Sequence, residues 1–322
     1  MSDLALGSIV DAVLGALLFG SLSKLWDAPA GRERLKLRLL AFVVPPILPF
    51  LFLPADRLRH SPFFECHLAL FDSRRLDQLS TGPATGSELV LVAAVAAGLA
   101  LLIRDMVPIL VDGPGREPEP DSSKTGDAPL PSPQRKTFDR LSASGIRIRL
   151  RRPPDGESGA IFCRGLVRPA VWVDSSLIDS LEPAELEAAI AHELSHAIHR
   201  DGITGWAALV FRAFFFWNPA VQITGRAVVR ELEIRADEEA VSSGPGSPNN
   251  QPLARALARL DPSEEFLPAL SLRARIRRHV LHDTIRRRRL LLEATPRSRS
   301  PIGAGAPGFA AAGFVALLFF VM

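Results

Sequence analysis

The sequence predicts an α+β chain in which apolar helical spans surround a smaller segment of mixed helices and strands. Three observations carry that expectation. Predominantly apolar runs at 4–22, 39–54, 87–111 and 302–322 approach or reach the length that crosses a bilayer. Short runs rich in Val, Ile and Phe, bounded by Gly and Pro, fall between residues 146 and 173. Two stretches, 183–201 and 230–241, have helical periodicity and carry paired histidines and paired acids.

The chain has 322 residues, room for more than one domain. Its 27 prolines and 23 glycines require irregular segments. There is no Tyr. A net charge of only +3 gives no global basic field, so direct nucleic-acid binding is not expected. Cys66 and Cys163 lack CxxC spacing and fall in segments assigned to opposite sides of a membrane, which argues against a disulfide.

The first span, Leu4–Leu22, is interrupted by Asp11 and followed by no small-residue cleavage pattern, so it reads as uncleaved. Asp11 is either functional or turned toward another helix. The connector holds Lys24, Arg32, Arg34, Lys36 and Arg38; the second span, Leu39–Pro54, contains Pro45, Pro46 and Pro49. Neighbouring helices can satisfy the carbonyls those prolines free. Residues 55–87 are polar and of mixed charge, and the third span occupies 87–111. The excess of Lys and Arg in the first connector and beside the long third loop puts both in the cytoplasm and the N-terminus outside.

Residues 112–136 contain six prolines and almost nothing apolar, so they read as a disordered linker. From residue 137 the pattern changes. Ile146–Leu150 alternates apolar and polar, and Ala160–Cys163 and Ala170–Val173 are short β-rich runs. A small antiparallel sheet is expected. The following helix starts at Pro183, carries Glu185 and Glu187 near its positive end, and is expected to stop around Asp201-Gly202.

That helix contains His192-Glu193-Leu-Ser-His196, an HExxH pattern. Four-residue spacing sends both imidazoles from one helix face, one turn apart. Two nitrogens can then meet one Zn²⁺ at roughly 2.1 Å. Glu193, beside the first ligand, can take a proton from an activated water. Such a site needs a third protein ligand. The stretch Arg230–Val241 supplies ExxxD: Glu233 as third ligand, with Asp237 one turn on as acceptor for a ligand histidine's outer N–H. The alternative for Glu233 is a solvated position on an acidic helix, since Glu231, Glu238 and Glu239 lie near. His199 is seven residues from His192, roughly 10.5 Å along the axis, too far for one ion on an unbroken helix. A capping or substrate-side role suits it better.

The combination AHELSHAIHRD, FFFWNP and ELEIRADEEAV resembles the bacterial membrane metallopeptidases related to the beta-lactam-sensing antirepressor proteins. It is more loosely similar to the CAAX-prenyl-protease and heat-shock membrane peptidases. Trp217-Asn218-Pro219 favours the sensor family; Ala236, where that family often has Cys, does not separate the two groups. The resemblance is specific over residues 137–243. It implies a zincin-like (gluzincin) metallopeptidase domain at 137–296, cytosol-facing and inserted between the third and fourth transmembrane helices of a multi-pass protein of the bacterial inner membrane. It implies a catalytic Glu193, a zinc held by His192, His196 and Glu233, and Asp237 behind the ligands. It also implies that the strand before the active helix offers its edge to the substrate. Val171–Val173 is the matching segment, and an ordinary interior strand is the alternative. Asp201 matches the family's Asp after the motif helix, read as a structural contact.

Ile203–Trp217 is very apolar but carries Arg212. It cannot cross the membrane fully, because His192 and Glu233 must reach one metal. It is either buried in the protease domain or laid against the membrane. Asn218-Pro219 is expected to cap and start the Glu233 helix. Leu253–Leu260 reads as a short helix, and Arg273–Arg289 as a juxtamembrane basic segment before the fourth span. The family's penicillin-binding sensor domain is not expected, so a stimulus would arrive through a sensor partner or the spans. With no Tyr, His199, Asn218 and Arg230 are the weak candidates for oxyanion support.

The expected activity is therefore peptide-bond hydrolysis by a membrane zinc endopeptidase, acting on a protein or peptide substrate such as a transcriptional repressor. The alternatives are a membrane-protein quality-control peptidase and a non-catalytic signalling adaptor stabilised by zinc. The intact Glu193 argues against the adaptor, because a purely structural site needs no base.

Overall fold

A computed structural model describes residues 2–25, 31–51, 86–112, 141, 145–151, 161–243 and 249–260. The chain divides into two compact units. One comprises Met1–Asp105, Ala207–Glu231 and Ser298–Met322; the other comprises Met106–Trp206 and Leu232–Arg297.

The described part of the first unit is helical. It contains α1 (Ser2–Leu25), α2 (Gly31–Leu51) and most of α3 (Gly86–Asp112). α1 packs along α2, with Leu6, Ile9, Ala12, Phe42 and Leu48 buried and the Ser8 hydroxyl donating to the Pro46 carbonyl at 2.9 Å. α2 stays helical through Pro45, Pro46 and Pro49. α3 contains a 21-residue stretch, Gly86–Met106, long and apolar enough to cross a membrane; the apolar part of α1, Ala5–Leu18, is shorter. Among the described residues, then, one helix meets both conditions. The proline-rich linker, the Arg273–Arg289 segment and the expected fourth span lie outside the described residues.

The same unit takes its remaining described residues, 207–231, from two further helices, α6 (Asp201–Phe214) and α7 (Pro219–Ser243). Asn218 caps α7 as expected: its Oδ1 accepts from the Ala220 and Val221 amides at 3.1 and 3.2 Å. Glu231 is buried, and its two oxygens accept from Arg34 and Arg38, each at 2.8 Å. A buried carboxylate requires this kind of charged partner.

The second unit is built on a three-stranded sheet of β1 (Arg147–Arg151), β2 (Ile161–Arg164) and β3 (Ala170–Asp174), in the order β1-β3-β2. The sheet is mixed, not antiparallel. β1 runs parallel to β3 (Ile148 opposite Val171), and β2 runs antiparallel to it (Phe162 opposite Trp172). Alternation of apolar side chains tells which face of a strand is buried but not which way its neighbour runs, so the sequence did not reveal this. β3 is paired on both sides, so Val171–Val173 is an interior strand and offers no edge to a substrate. The described outer strands are β1 and β2.

Val171 and Val173 are fully buried against Leu177 and Ile178 of α4 (Ser175–Ser180) and Leu186 and Ile190 of α5 (Pro183–His199). Ile148, Leu150, Ile161 and Cys163 complete that core. Pro183 starts α5, and Glu185 accepts from the Glu182 backbone amide at 3.1 Å. α5 ends at His199, close to the expected stop around Asp201-Gly202, but the turn does not fall on the glycine. Arg200 turns the chain with φ 53°, and α6 begins at Asp201 with Gly202 inside it. The αL turn therefore falls on an arginine, one of the rarer placements for that conformation. A second small core joins Leu253 and Leu257 of α8 (Gln251–Leu260) to Ala240, Ala188 and Ala191.

Candidate metal centre

α5 places His192 and His196 one turn apart, and their Nε2 atoms lie 3.1 Å from one another. The C-terminal part of α7 brings Glu233 to both: Oε2 is 3.6 Å from His192 Nε2 and Oε1 is 3.6 Å from His196 Nε2. Ligands at roughly 2.1 Å from a tetrahedral ion lie about 3.4 Å apart, so these separations suit a single small cation. The three residues form a cluster whose donor atoms all lie within 4.8 Å of one another.

The outer nitrogens decide the tautomers. His192 Nδ1 sits 2.9 Å from Asp237 Oδ1, and His196 Nδ1 sits 2.7 Å from Asp201 Oδ2. A carboxylate only accepts, so each Nδ1 carries the proton and each Nε2 presents a lone pair. Two lone pairs and a carboxylate then face one point. Such donors repel one another unless a cation lies between them, and two imidazoles with a carboxylate at this spacing suit a divalent transition-metal ion.

Asp201 is the residue whose part the sequence reading missed. The sequence suggests only a structural contact for it, yet it orients a proposed ligand and is itself held by Arg235 Nη2 at 2.5 Å. Burial pushes its carboxyl pKa up, but the His196 and Arg235 hydrogen bonds outweigh that and leave it below the ordinary aspartate value. The signal was present as an acid five residues after the second histidine. It could be used only by knowing that Arg200 breaks the helix and folds Asp201 back. Arg235, two residues past Glu233, went unread for the same reason.

Glu193 points to the sheet. The Cys163 amide of β2 donates to its Oε2 at 2.8 Å. That amide is therefore spent on Glu193, and β2 is an outer strand of the described sheet. Burial, and then the charges of Glu193 and Asp201, push the Cys163 thiol up to about 11. His199 Nε2 pairs with Glu239 at 3.0 Å, and Glu239 also accepts from Ser195 Oγ at 2.6 Å. This ties α5 to α7 and leaves His199 outside the donor cluster. Asn218 is committed to capping α7 and to the Ser8 carbonyl, so it does not serve as an oxyanion donor.

Residues 160–247 match the family model described as BlaR1 peptidase M56. This segment is similar to the BlaR1 peptidases. The M56 segment contains His192, Glu193, His196, Glu233, Asp237 and Asp201, with β2, β3 and α4–α7. M56 proteins are metallopeptidases, and the donor cluster lies within the matched residues. Among curated proteins, no sequence matches the chain.

Proposed function

We propose that the chain is a membrane-bound zinc endopeptidase. His192, His196 and Glu233 hold the ion, Glu193 is the base, and Asp237 and Asp201 orient the two histidines. The observation that carries this is the convergence of both Nε2 lone pairs and the Glu233 carboxylate on one point, with both Nδ1 protons held by carboxylates. A structural zinc site closes with four protein ligands, whereas a catalytic one keeps a position open. Among the described residues three donors converge, and Glu233 is about one-third exposed, so the cluster is reachable.

Bound zinc supplies Lewis acidity, polarising the scissile carbonyl and making a water acidic near neutral pH. The chain's own residues do the rest. Glu193, steadied through Oε2 by the Cys163 amide, takes the proton of the attacking water and passes it to the leaving amine. Asp237 and Asp201 fix the imidazoles so that no reorientation is needed during turnover. A peptide laid along the outer side of β2, next to Glu193, would bind through backbone pairing and tolerate many sequences. That replaces Val171–Val173 as the substrate edge. The proposed substrate is a transcriptional repressor or another signalling protein, cleaved on the cytoplasmic side of the bacterial inner membrane. The intact base favours this class over a zinc-stabilised adaptor.

The test is purified full-length protein carrying Glu193→Gln, His192→Ala, His196→Ala or Glu233→Ala, assayed for zinc content and for cleavage of an unstructured protein such as casein. Glu193→Gln should keep its zinc and lose cleavage by at least about 100-fold. The other three should lose the metal. A Glu193→Gln protein that cleaves at the wild-type rate ends the mechanism. Full zinc content in Glu233→Ala ends the ligand assignment.

A further inference from the structure

Residues 207–231 form a helical hairpin within the first unit, and ion pairs hold both of its arms. Arg212, three residues before the turn, reaches Asp105 near the end of α3, which Arg226 on the other arm also meets, at 2.7 Å; at the open end Glu231 pairs with Arg34 and Arg38 of α2. Around the turn aromatic rings meet. Phe211 meets Phe42 and Phe215 meets Phe50, with ring centroids 4.9 and 6.3 Å apart. The turn crosses α3 at Gly98, where a Cβ would run into the Phe216 carbonyl oxygen.

Gly98 lies deep in the apolar stretch Gly86–Met106. It is twelve residues from one end and eight from the other, about 18 and 12 Å along the axis. The distance from charge to turn can also be read from α2: Arg38 to Phe50 is twelve residues, about 18 Å. From α3 it is shorter, Asp105 to Gly98 being seven residues, about 10 Å. Both place the turn near half the ~30 Å thickness of a hydrocarbon core.

The turn is also chemically prepared for such a depth. In hydrocarbon every backbone polar group at an irregular turn needs an internal partner. Gln222, fully buried, donates its amide to the Arg212 and Phe215 carbonyls at 2.8 and 3.3 Å and accepts from Arg212 Nε at 3.1 Å. The Asn218 backbone amide donates to the Phe215 carbonyl, and its side chain bridges to the Ser8 carbonyl at 2.9 Å. Meanwhile the outward side chains are large and apolar: Val210, Phe214, Phe216, Ile223 and Val229 are all exposed, Phe214 by 67%. The exposed face of α3 is of the same kind, with Val92, Leu99 and Ile103. Exposed apolar surface of this extent marks a membrane or partner face, and its continuity with the apolar stretch of α3 favours lipid.

We infer that residues 207–231 are a re-entrant hairpin that enters the bilayer beside α3 from its Met106 end and turns back at about mid-depth, with acyl chains covering Val210, Phe214, Phe216, Ile223 and Val229. This rests on the reading that α3 crosses a membrane. It explains how an apolar segment between the two metal-binding motifs can lie in lipid while both motifs stay on one side.

Single cysteines at Phe214, Phe216, Ile223 and Val229, in a Cys66→Ser, Cys163→Ser background, would carry nitroxide labels in full-length protein reconstituted into phosphatidylcholine–phosphatidylglycerol vesicles. Collision with oxygen and with a water-soluble nickel chelate then gives each label's depth. A label at Leu99 reports α3 independently. The Phe216 label should match the Leu99 depth within about one helical turn, ~5 Å, and the Val229 label should be the shallowest. The positions are exposed, so labels are tolerated; Val210 replaces any that lowers helix content. Water-exposed labels on the hairpin with Leu99 in lipid overturn the inference alone. Labels shielded from both reagents overturn it in favour of a protein partner. A water-exposed Leu99 overturns the membrane reading beneath it.

Discussion

Each proposed histidine ligand is backed by its own carboxylate, and the two carboxylates come from different places. Asp237 belongs to the same helix as Glu233, while Asp201 opens the helix that follows the HExxH helix and is countered by Arg235. Replacing Asp201 by Asn keeps the shape but removes the charge that favours the Nδ1 proton. Zinc affinity, measured by competition with a chelator, should fall about 10–100-fold. Fold and helix content should hold, since the amide oxygen still accepts. Cys163 tests the electrostatics of the same neighbourhood from another side. Its thiol is raised to about 11, so the neutral form persists through the physiological range and the nucleophilic thiolate gains only as pH climbs toward that value. At pH 8 roughly one thiol in a thousand is ionised. Peptide mapping after brief iodoacetamide treatment should show Cys163 modified slowly at pH 8 and increasingly faster toward pH 10. Fast labelling at pH 8 would contradict the burial and the nearby negative charge.

At the scale of elements, the helix joints carry more than their length suggests. Arg200 takes the left-handed turn that brings Asp201 to His196. Asn218 starts the helix that carries Glu233, and the same side chain reaches Ser8 on α1. Replacing Asn218 by Ala removes both connections. The cap alone is worth about 1–2 kcal/mol, so the thermal midpoint of the purified protein in detergent should drop by several degrees. Asn218→Ser should recover much of the cap but not the donation to Ser8, giving an intermediate midpoint. The sequence reading found this cap, the Pro183 start and the 251–260 helix because each is announced by local chemistry. Its stop around Asp201-Gly202 lies close to the observed end, but the turn itself falls on Arg200, although glycine is the usual residue for it. The sequence suggests an antiparallel sheet and leaves Val171–Val173 open between edge and interior, because strand order depends on which strands meet, a non-local matter.

For the whole molecule, the expected topology has spans at 4–22, 39–54, 87–111 and 302–322 with both termini outside. Reporter fusions after residues 30, 70 and 140 should then read inside, outside and inside. A fusion at 140 that reads outside would put the peptidase segment away from any cytosolic repressor. Only Gly86–Met106, among the described residues, has the length and composition of a span by itself. Ser8 and Asp11 on α1 are buried, as are Arg212 and Gln222 on the hairpin, so polarity that lowers hydropathy along the sequence is turned inward in the fold. Hydropathy averages over a helix's faces and does not see that sorting.

The sequence by itself determined the chemistry of the centre. HExxH and ExxxD each put two side chains on one helix face, and helical spacing is a local property that needs no partner. It also determined that a strongly apolar segment lies between the two motifs. Only the tertiary structure decided what those motifs meet. It sets Glu193 on the amide of Cys163, pairs His196 with Asp201 and Asp201 with Arg235, makes β3 the central strand, and lays the 215–218 turn against Gly98. Each of these joins residues that are distant along the chain or that depend on an unannounced turn. Periodicity reports which face of an element is buried, and the packing of one element on another decides which residues that face will touch.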